Sequence, residues 1–367
     1  MTDEAALRAA VLAHPGDDTP RLVYADWCDD AGDADRAAFI RAQVEAARAE
    51  PWSPAARDAE ARAAALLAQM EFEWSQSSNR YRRPEFVRGF VEGVELLAED
   101  LGDRLRDFRA SDPVRRVRLL GFVGSSTFEA SLLNIAEVLA APAVAGITGL
   151  DASHASLYSS ADFEELAAAP TLAGLSELSF AGRLVPPEWL TRFLQGPELP
   201  ALAALDLSDI ANLGLALGDG LRTAAHRTFT RLNVTGVRLL SRDLHRLLKS
   251  PAVAAVEELR LGWTFTPPGP ATMIDLGWLL PWAKLRLLDL AGHGLGDDGV
   301  REITDRREAA GLRWLGLARN HLGNGGASRL LESRHLHLYH LDVTGNDISP
   351  PLLAELRARF PEAVVVG

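Results

Sequence analysis

The chain has 367 residues, of which 47% are hydrophobic and 24% are charged, and its formal net charge is −12. This content allows a large buried core, and the negative charge argues against a general nucleic-acid or anionic-membrane binder, while a local basic patch stays compatible with it. A single cysteine, an acidic start and the lack of any uncharged apolar run of about 18 residues predict a cytoplasmic protein without a disulfide, a secretory signal or a membrane span.

Residues 1–50 predict a small helical domain. One helix covers Asp3 to Ala13, a second runs from Pro20 to Cys28, and a third begins after Asp33, whose side chain suits the N-cap position. A piece of this size has only a marginal core of its own. We therefore expect it to dock on the first strand–helix unit that follows and to cover its apolar surface.

Residues 51–85 predict a helical linker that packs on the rest of the chain. The segment from Ala55 to Phe72 is rich in Ala, Arg and Glu and favours a helix, whereas Ser75 to Arg83 is polar and favours a loop.

Residues 86–367 repeat one phrase about ten times: an apolar residue, two variable ones, an apolar, a variable and an apolar. Leu285 to Leu290 is one clear copy and Leu312 to Leu317 another. Most copies are 26 to 29 residues apart, the length of a unit with one strand and one helix. The middle apolar residues of the phrase are Val94, Val117, Leu150, Leu178, Leu205, Leu232, Leu259, Leu288, Leu315 and Leu341.

Two copies continue with an asparagine, Asn320 and Asn346, three residues after the last apolar position. A buried Asn at this point would satisfy backbone groups in the bend after the strand. In the other copies the position is occupied by Phe122, Ala155, Arg183, Val237, Thr264 or His293, so most of an asparagine ladder is missing.

The segments between phrases predict helices that end at Pro or Gly. Examples are Ser131 to Ala140, Asp162 to Ala169, Glu188 to Leu194, Arg242 to Lys249 and Asp297 to Glu308; a last helix and strand follow Pro350. The whole pattern resembles a leucine-rich repeat protein. The resemblance implies an α/β solenoid shaped as a horseshoe, with parallel strands on the concave face and helices on the convex face.

The N-terminal segment resembles the bacterial repeat-companion domain, a short domain that precedes leucine-rich and other repeats. The resemblance rests on Glu4 to Val11, on the contiguous string from Pro15 to Trp27, and on Arg36 to Arg41. The phrase from Arg88 to Val94 resembles the junction that such proteins use before their repeats. This resemblance implies an architecture and an interaction role in a bacterial protein, and it transfers no catalytic residue.

Each candidate site in the N-terminal segment can be interpreted as structural or as functional. The carboxylates resemble a cation loop, but Gly32 is misplaced for an EF-hand, and Gly32 as a helix stop with Asp33 as an N-cap explains the spacing. Tyr24 and Trp27 fit core packing or a ligand clamp. Cys28 lacks a nucleophile signature and fits a buried thiol. The carboxylates are Asp26, Asp29, Asp30, Asp33 and Asp35.

His335, His337 and His340 form the densest histidine cluster, but strand alternation puts only the first two on one face, so solvated side chains compete with a metal site. The motifs GxxxxGK[ST], GxSxG and HExxH do not occur. We expect no enzyme activity, no resident metal and no cofactor.

The remaining candidate is the concave face. If middle positions point inward, the residues before and after them point outward. Charged residues around Trp314, with Trp263 at the edge, suit protein recognition, although exposed strand positions must be polar in any case. The predicted partner-binding residues are Asp151, Glu177, Asp206, Arg231, Glu258, Arg260, Asp289, Trp314, His340 and Asp342.

These patterns favour a non-enzymatic, monomeric protein-interaction module that binds a protein or peptide with basic groups, and neither nucleic acid nor membrane. Two alternatives use the same scaffold. One is a regulator of a partner enzyme, similar to ribonuclease inhibitor or to the Ran GTPase-activating protein. The other is a self-associating scaffold that pairs through the strand predicted at Ala363 to Val366.

Overall fold

The computed structural model describes residues 3–77, 82–121, 135–211, 213–264 and 279–367. The chain divides into two compact units, one formed by residues 1–157 and 169–175, the other by residues 158–168 and 176–367. Phe122 and the beginning of the helix predicted at Ser131 lie outside the described residues. Within the described ranges, no helix is both long enough and apolar enough to cross a membrane.

The first unit begins with helices and continues with strands. Its elements, labelled in chain order among the described residues, are α1 Asp3–Ala13, α2 Thr19–Asp30, α3 Ala34–Arg48, α4 Pro54–Ser77, β1 Arg82–Val87, β2 Phe90–Leu97, α5 Leu101–Arg109, β3 Arg116–Leu120, α6 Ile135–Leu139 and β4 Gly149–His154. Strands β1 and β2 pair antiparallel, whereas β2, β3 and β4 pair parallel in chain order.

Helices α1 to α3 pack on strand β2. Val11, Tyr24 and Ile40 share one buried cluster with Phe90 of the strand, and the Tyr24 and Phe90 rings meet edge to face with their centroids 5.3 Å apart. The helical segment thus covers apolar surface of the first strands, which agrees with the role of an N-terminal cap.

A buried ion pair reinforces this contact. Arg21 in α2 is fully buried and its Nη2 lies 2.6 Å from Oε1 of Glu92 in β2, while its Nη1 donates to the carbonyl oxygens of Val87 and Arg88. Gly89, in the β1–β2 turn, has a φ of +88°, and any side chain there would overlap Ile40. The turn therefore requires glycine for both its backbone conformation and its approach to α3.

The end of the predicted linker differs from the sequence expectation. Helix α4 continues to Ser77, and β1 begins at Arg82 within the predicted loop, while residues 78–81 lie outside the described part of the chain. The antiparallel pairing of β1 with β2 also buries Glu95, which strand alternation had assigned to the exposed face. A short strand interrupted by Pro84 has no clear hydrophobic periodicity, so sequence patterns did not predict it.

The second unit alternates short strands with helices. Its elements are α7 Ser160–Ala168, β5 Glu177–Ser179, α8 Pro187–Gln195, β6 Ala204–Asp206, α9 Gly214–Arg222, β7 Arg231–Asn233, α10 Ser241–Leu248, β8 Glu258–Arg260, β9 Leu287–Asp289, α11 Gly296–Thr304, β10 Trp314–Gly316, α12 Asn324–Glu332, β11 His340–Asp342, α13 Pro350–Arg359 and β12 Val364–Val366. Strands β5 to β12 pair parallel in chain order.

The predicted register is confirmed inside each unit. Val94 pairs with Val117 in the first unit, and Leu288 pairs with Leu315 in the second. All ten middle residues of the phrase are buried, with at most 3% of their surface exposed. The predicted helices are found with small shifts, except that the one predicted from Asp297 to Glu308 ends at Thr304 and is followed by a separate 3₁₀ segment. The chain therefore has the α/β fold of a leucine-rich repeat solenoid with an all-helical N-terminal region.

Candidate functional site

The ten predicted partner-binding residues all flank a buried middle residue on a strand, and all ten are half-buried. Asp151 lies on β4 in the first unit. The other nine lie on β5 to β11 in the second unit. We refer to the outward side of β5 to β11 as the strand face. We number its positions from the phrase, so that position 3 precedes the middle residue and position 5 follows it.

The aspartates at position 5 have a structural role in the turn after their strands. One oxygen of each carboxylate accepts a hydrogen bond from the backbone N–H two residues later, which closes an Asx turn. These bonds are Asp151 from Ser153 at 2.9 Å, Asp206 from Ser208 at 2.8 Å, Asp289 from Ala291 at 3.0 Å and Asp342 from Thr344 at 2.9 Å. Asn233 accepts the equivalent hydrogen bond from the Thr235 N–H at 3.1 Å. The turn therefore requires a side-chain acceptor and not a negative charge.

Some of the outward charges are already paired within the chain. In the first unit, Oδ2 of Asp151 lies 2.7 Å from Nε of Arg118. Burial tends to raise the pKa of Asp151, but hydrogen bonds from Ser153 and Arg118 outweigh it and hold this pKa below its ordinary value.

On the strand face, Glu177 on β5 and Arg231 on β7 form an ion pair of 2.7 Å. The pair reaches across β6, where position 3 is only Ala204. Asn233 donates to Oδ2 of Asp206 at 3.1 Å. The first three strands of this face therefore satisfy much of their own polarity.

Strands β8 to β11 carry a different arrangement, which we call the Trp314 cluster: Arg260, Asp289, Trp314, His340 and Asp342. The Trp314 and His340 rings are parallel, with an interplanar angle of 1° and centroids 4.9 Å apart. The guanidinium carbon of Arg260 lies 5.4 Å from the centroid of the Trp314 ring. Both contacts are of kinds that hold an aromatic side chain in one place.

The Trp314 ring and the Asp289 carboxylate cover a buried glycine, Gly316. Gly316 takes position 5 on β10, between Asp289 on β9 and Asp342 on β11. A methyl group at Gly316 would come within 2.6 Å of Oδ1 of Asp289 and 2.7 Å of the Trp314 ring. Burial raises the pKa of Asp289 above its ordinary value, and the nearby Asp342 acts in the same direction, against the Ala291 hydrogen bond and Arg260. The cluster therefore places an aromatic ring beside a carboxylate, above a glycine that lets the ring lie close to the strand.

One edge of the strand face has a pattern that sequence reasoning missed. The residue three places after position 5 has a left-handed backbone in seven successive repeats, and glycine alternates there with another residue: Gly182, Asp209, Gly236, Trp263, Gly292, Arg319 and Gly345. Each larger side chain lies over the glycine of the next repeat, Asp209 on Gly236, Trp263 on Gly292 and Arg319 on Gly345. Comparing alternate repeats, about 54 residues apart in the sequence, would have revealed it.

Trp263 at this edge is 49% exposed. The guanidinium carbon of Arg319, two repeats further on, lies 5.8 Å from the centroid of its ring. The edge therefore presents a fixed aromatic surface beside the strand face, as the sequence placed it.

The predicted role of the asparagines is confirmed. Asn320 accepts from the backbone N–H of His293 at 3.0 Å and donates to the carbonyl of Leu290 at 2.8 Å. Asn346 does the same one repeat later, with the Asn320 N–H at 2.8 Å and the Leu317 carbonyl at 2.9 Å. His293 replaces Asn in the preceding repeat: it is fully buried, and its Nε2 lies 2.6 Å from the Leu261 carbonyl. Burial lowers the pKa of His293 to about 4.

Three of the five N-terminal carboxylates have structural roles. Asp33 caps α3 by accepting from the Arg36 N–H at 3.1 Å, and Gly32 before it has a φ of +85°. Arg41 pairs with both Asp26 and Asp29.

For the remaining candidates, the described residues agree with the structural interpretation and not with a ligand or metal site. Tyr24 lies in the core and packs on Trp27. Burial raises the pKa of the Cys28 thiol to about 11, which keeps it uncharged. His335 is half-buried and His337 exposed, while His340 belongs to the Trp314 cluster. Among the residues that the structure describes, no three His, Cys, Asp or Glu side chains are gathered to hold a metal ion.

Comparison with known proteins bears on the repeats. A sequence profile of the family described as Leucine Rich repeat matches residues 283–303, the segment that contains β9. No curated protein matches the chain. Several solved structures are similar to it, and they include the following two. An internalin from Listeria monocytogenes is 16% identical, with a TM-score of 0.38 over 69% of this chain and 67% of the internalin. A leucine-rich repeat protein from Leptospira interrogans is 12% identical, with a TM-score of 0.28 over 76% of this chain and 90% of that protein.

Proposed function

We propose that this chain is a non-enzymatic protein-interaction module, acting as a monomer in the bacterial cytoplasm. It binds a protein or peptide with exposed basic groups on the strand face of β5 to β11. Leucine-rich repeat proteins are generally protein-interaction modules, and a repeated strand face offers a long surface of fixed side chains.

The observation that carries the proposal is the Trp314 cluster itself, in which a fixed indole lies beside the carboxylate of Asp289 and one strand from Asp342. Interface hot spots are typically aromatic side chains in well-packed surroundings, and Trp314 is fixed between Arg260 and His340. With neighbouring strands about 4.8 Å apart, the backbones carrying Asp289 and Asp342 are about 10 Å apart across the glycine. A lysine or arginine side chain of a partner can pair with either carboxylate next to the exposed part of the indole.

The second oxygens of Asp289 and Asp342 extend this negative surface. Because one oxygen is held by the turn, the carboxylate is already oriented and loses little freedom on binding. Asp289 and Asp342 form no ion pair within the residues that the structure describes. They are therefore better partners for an incoming cation than Glu177, which already pairs with Arg231.

We further propose that residues 1–50 are a repeat-companion domain, followed by a linker at residues 51–85 and the solenoid at residues 86–367. Contacts between the two segments that carry the resemblance support this division. Arg21, in the first segment, pairs with Glu92 in the junction phrase, and Tyr24 packs on Phe90 of the same phrase. The two segments that carry the resemblance are therefore in direct contact, as docking of this domain on the first strands requires.

The experiment is capture of partners from native lysate with three proteins. The first is the wild type and the second carries Asp206→Asn, Asp289→Asn and Asp342→Asn. The third is a matched control with the same change of charge on exposed residues away from the strand face: Asp298→Asn, Asp305→Asn and Glu308→Gln. Partners that the wild type and the control retain and the strand-face variant loses support the proposal. An identical partner set for all three contradicts it.

Turnover of a captured enzyme with and without this chain then tests the regulator alternative.

A further inference from the structure

The helix layer of the second unit contains a basic cleft in an otherwise acidic chain. The cleft has a volume of about 380 Å³ and is lined by Arg222, Arg242, His245, Arg246, Lys249 and Ser250. Five of these six residues carry a basic side chain, although the net charge of the whole protein is −12 and Lys249 is one of its two lysines. The cleft is therefore locally positive, although the chain as a whole is negative.

Gly218 in α9 brings the two helices of the cleft together. A methyl group at Gly218 would come within 3.1 Å of the Cα of Asp243 in α10, so the two helices are in backbone contact there. Asp243 is buried, with Oδ1 lying 3.5 Å from Arg242 and 3.6 Å from Arg246. Arg246 also pairs with Asp219 of α9 at 2.7 Å. The carboxylates thus fix two guanidinium groups.

The carboxylates do not neutralise the cleft. Four arginine and lysine side chains line it, against Asp219 and Asp243, so two positive charges are in excess. Arg222 and Lys249 are exposed and form no ion pair in the part of the chain that the structure describes. The half-buried His245 adds a ring nitrogen that donates a hydrogen bond in either tautomer.

Helix macrodipoles explain only part of this arrangement. Arg222 lies in the last turn of α9 and Lys249 follows the last residue of α10, where a cation interacts favourably with the helix end. Arg242, by contrast, lies in the first turn of α10, where the macrodipole disfavours a cation. The helix macrodipole therefore destabilises Arg242 at this position, and helix stability does not explain why an arginine lies there.

We propose that this cleft binds a small molecule that carries a phosphate group with two or more negative charges. Guanidinium forks and an ammonium group are the side chains best matched to phosphate oxygens. The volume lies within the range of small-ligand sites. Ser250 is not part of the recognition, because its hydroxyl already donates to the Leu221 carbonyl and accepts from the Ala252 N–H. The acidic remainder of the chain disfavours a long nucleic acid as the ligand.

The test uses isothermal titration of the full chain with inorganic pyrophosphate at low salt. The cleft variant carries Arg222→Gln and Lys249→Gln, two exposed residues whose loss leaves the helix contacts in place, and circular dichroism checks its fold. The control is Lys284→Gln, which removes the other lysine from an exposed position outside the cleft.

We expect the wild type and the control to bind pyrophosphate with similar affinity, and the cleft variant to bind at least about tenfold more weakly, as expected for the loss of two charge-assisted contacts. Raising the sodium chloride concentration weakens wild-type binding, because the attraction is between charges. Absence of binding up to about 10 mM pyrophosphate, a range that covers very weak sites, overturns the proposal. Equal affinities of the wild type and a folded cleft variant also overturn it, as does displacement of pyrophosphate by duplex DNA of about the same phosphate concentration.

Discussion

The indole of Trp314 and the imidazole of His340 lie parallel, with their centroids 4.9 Å apart. The sheet register produces this contact, since the two residues are paired at position 3 of β10 and β11. An aromatic pair of this kind contributes about 0.5–1.5 kcal/mol beyond its buried area. Two half-buried side chains on the strand face are thereby ordered before any partner arrives.

The stack predicts a measurable coupling between the two residues. In a double-mutant cycle with Trp314→Ala and His340→Ala, the costs in unfolding free energy should fail to add by about 0.5–1.5 kcal/mol. Urea unfolding of the wild type, both single variants and the double variant measures this. Costs that add to within about 0.3 kcal/mol would show that the rings do not support each other.

The position 5 carboxylates predict a difference between Asn and Ala substitutions. Asp206→Ala or Asp342→Ala removes the acceptor of a turn hydrogen bond and should lower the free energy of unfolding by about 0.5–1.5 kcal/mol. Asp→Asn at the same residue keeps an acceptor, as Asn233 does naturally, and should cost less than half as much. Chemical denaturation of the four variants decides this, and equal costs for Asn and Ala would rule out the turn as the reason for the recurrent Asp.

The alternation at the edge predicts unequal costs for two glycines of similar backbone conformation. Gly182 has a φ of +69° and open space around it, whereas Gly292 has a φ of +73° and lies under the Trp263 ring. Gly182→Ala should cost about 1 kcal/mol from backbone strain alone. Gly292→Ala should cost a further 1–3 kcal/mol or so from overlap with the ring.

A second substitution tests the cause of that difference. Trp263→Gly removes the ring, and in that background Gly292→Ala should cost about as much as Gly182→Ala does in the wild type, about 1 kcal/mol. Thermal or urea unfolding supplies the comparison. If the large cost of Gly292→Ala persists without the indole, the side chain of one repeat does not determine the glycine of the next.

His293 predicts a pH dependence of stability. Its pKa is about 4 in the folded chain and has the ordinary value of 6.5 when unfolded. As the pH falls from about 6.5 to about 4, the unfolded state binds the proton first, so stability decreases over this window, by roughly 3 kcal/mol in all. Above pH 6.5 the imidazole is neutral in both states and this contribution is complete.

The control for this dependence is His293→Asn, which supplies the side chain that Asn320 and Asn346 use in the following repeats. Between pH 7 and pH 5 the wild type should lose about 2 kcal/mol more of its unfolding free energy than the variant does. Urea unfolding at the two pH values is sufficient. Equal losses in both proteins would mean that His293 does not titrate on unfolding.

The register of the repeats was predictable because a buried leucine every 26 to 29 residues leaves a signal that periodicity reveals. Leu288, Leu315 and Leu341 are buried and paired as the spacing requires. The outward position of the ten candidate residues follows from strand alternation and is found in the structure. Their role as partner-binding residues stays a prediction.

Other features depend on contacts between residues far apart in the sequence. The turn bonds of Asp289 and its neighbours needed atomic positions, since an Asp beside a strand reads equally well as solvated. The cleft between α9 and α10 needed the packing of Gly218 on Asp243, which no local pattern encodes. His293 stands at an asparagine position, and the sequence did not reveal that its imidazole contacts the Leu261 carbonyl, because this contact depends on the burial of the side chain.

The central claim is that the carboxylates of the strand face and Trp314 bind a basic partner. The most direct test is the dissociation constant of a captured partner with the wild type, with the triple Asn variant at Asp206, Asp289 and Asp342, and with the matched control. We predict an affinity at least about tenfold weaker for the strand-face variant, with a flatter dependence on salt, and no change for the control. Equal dissociation constants for all three proteins would contradict the account.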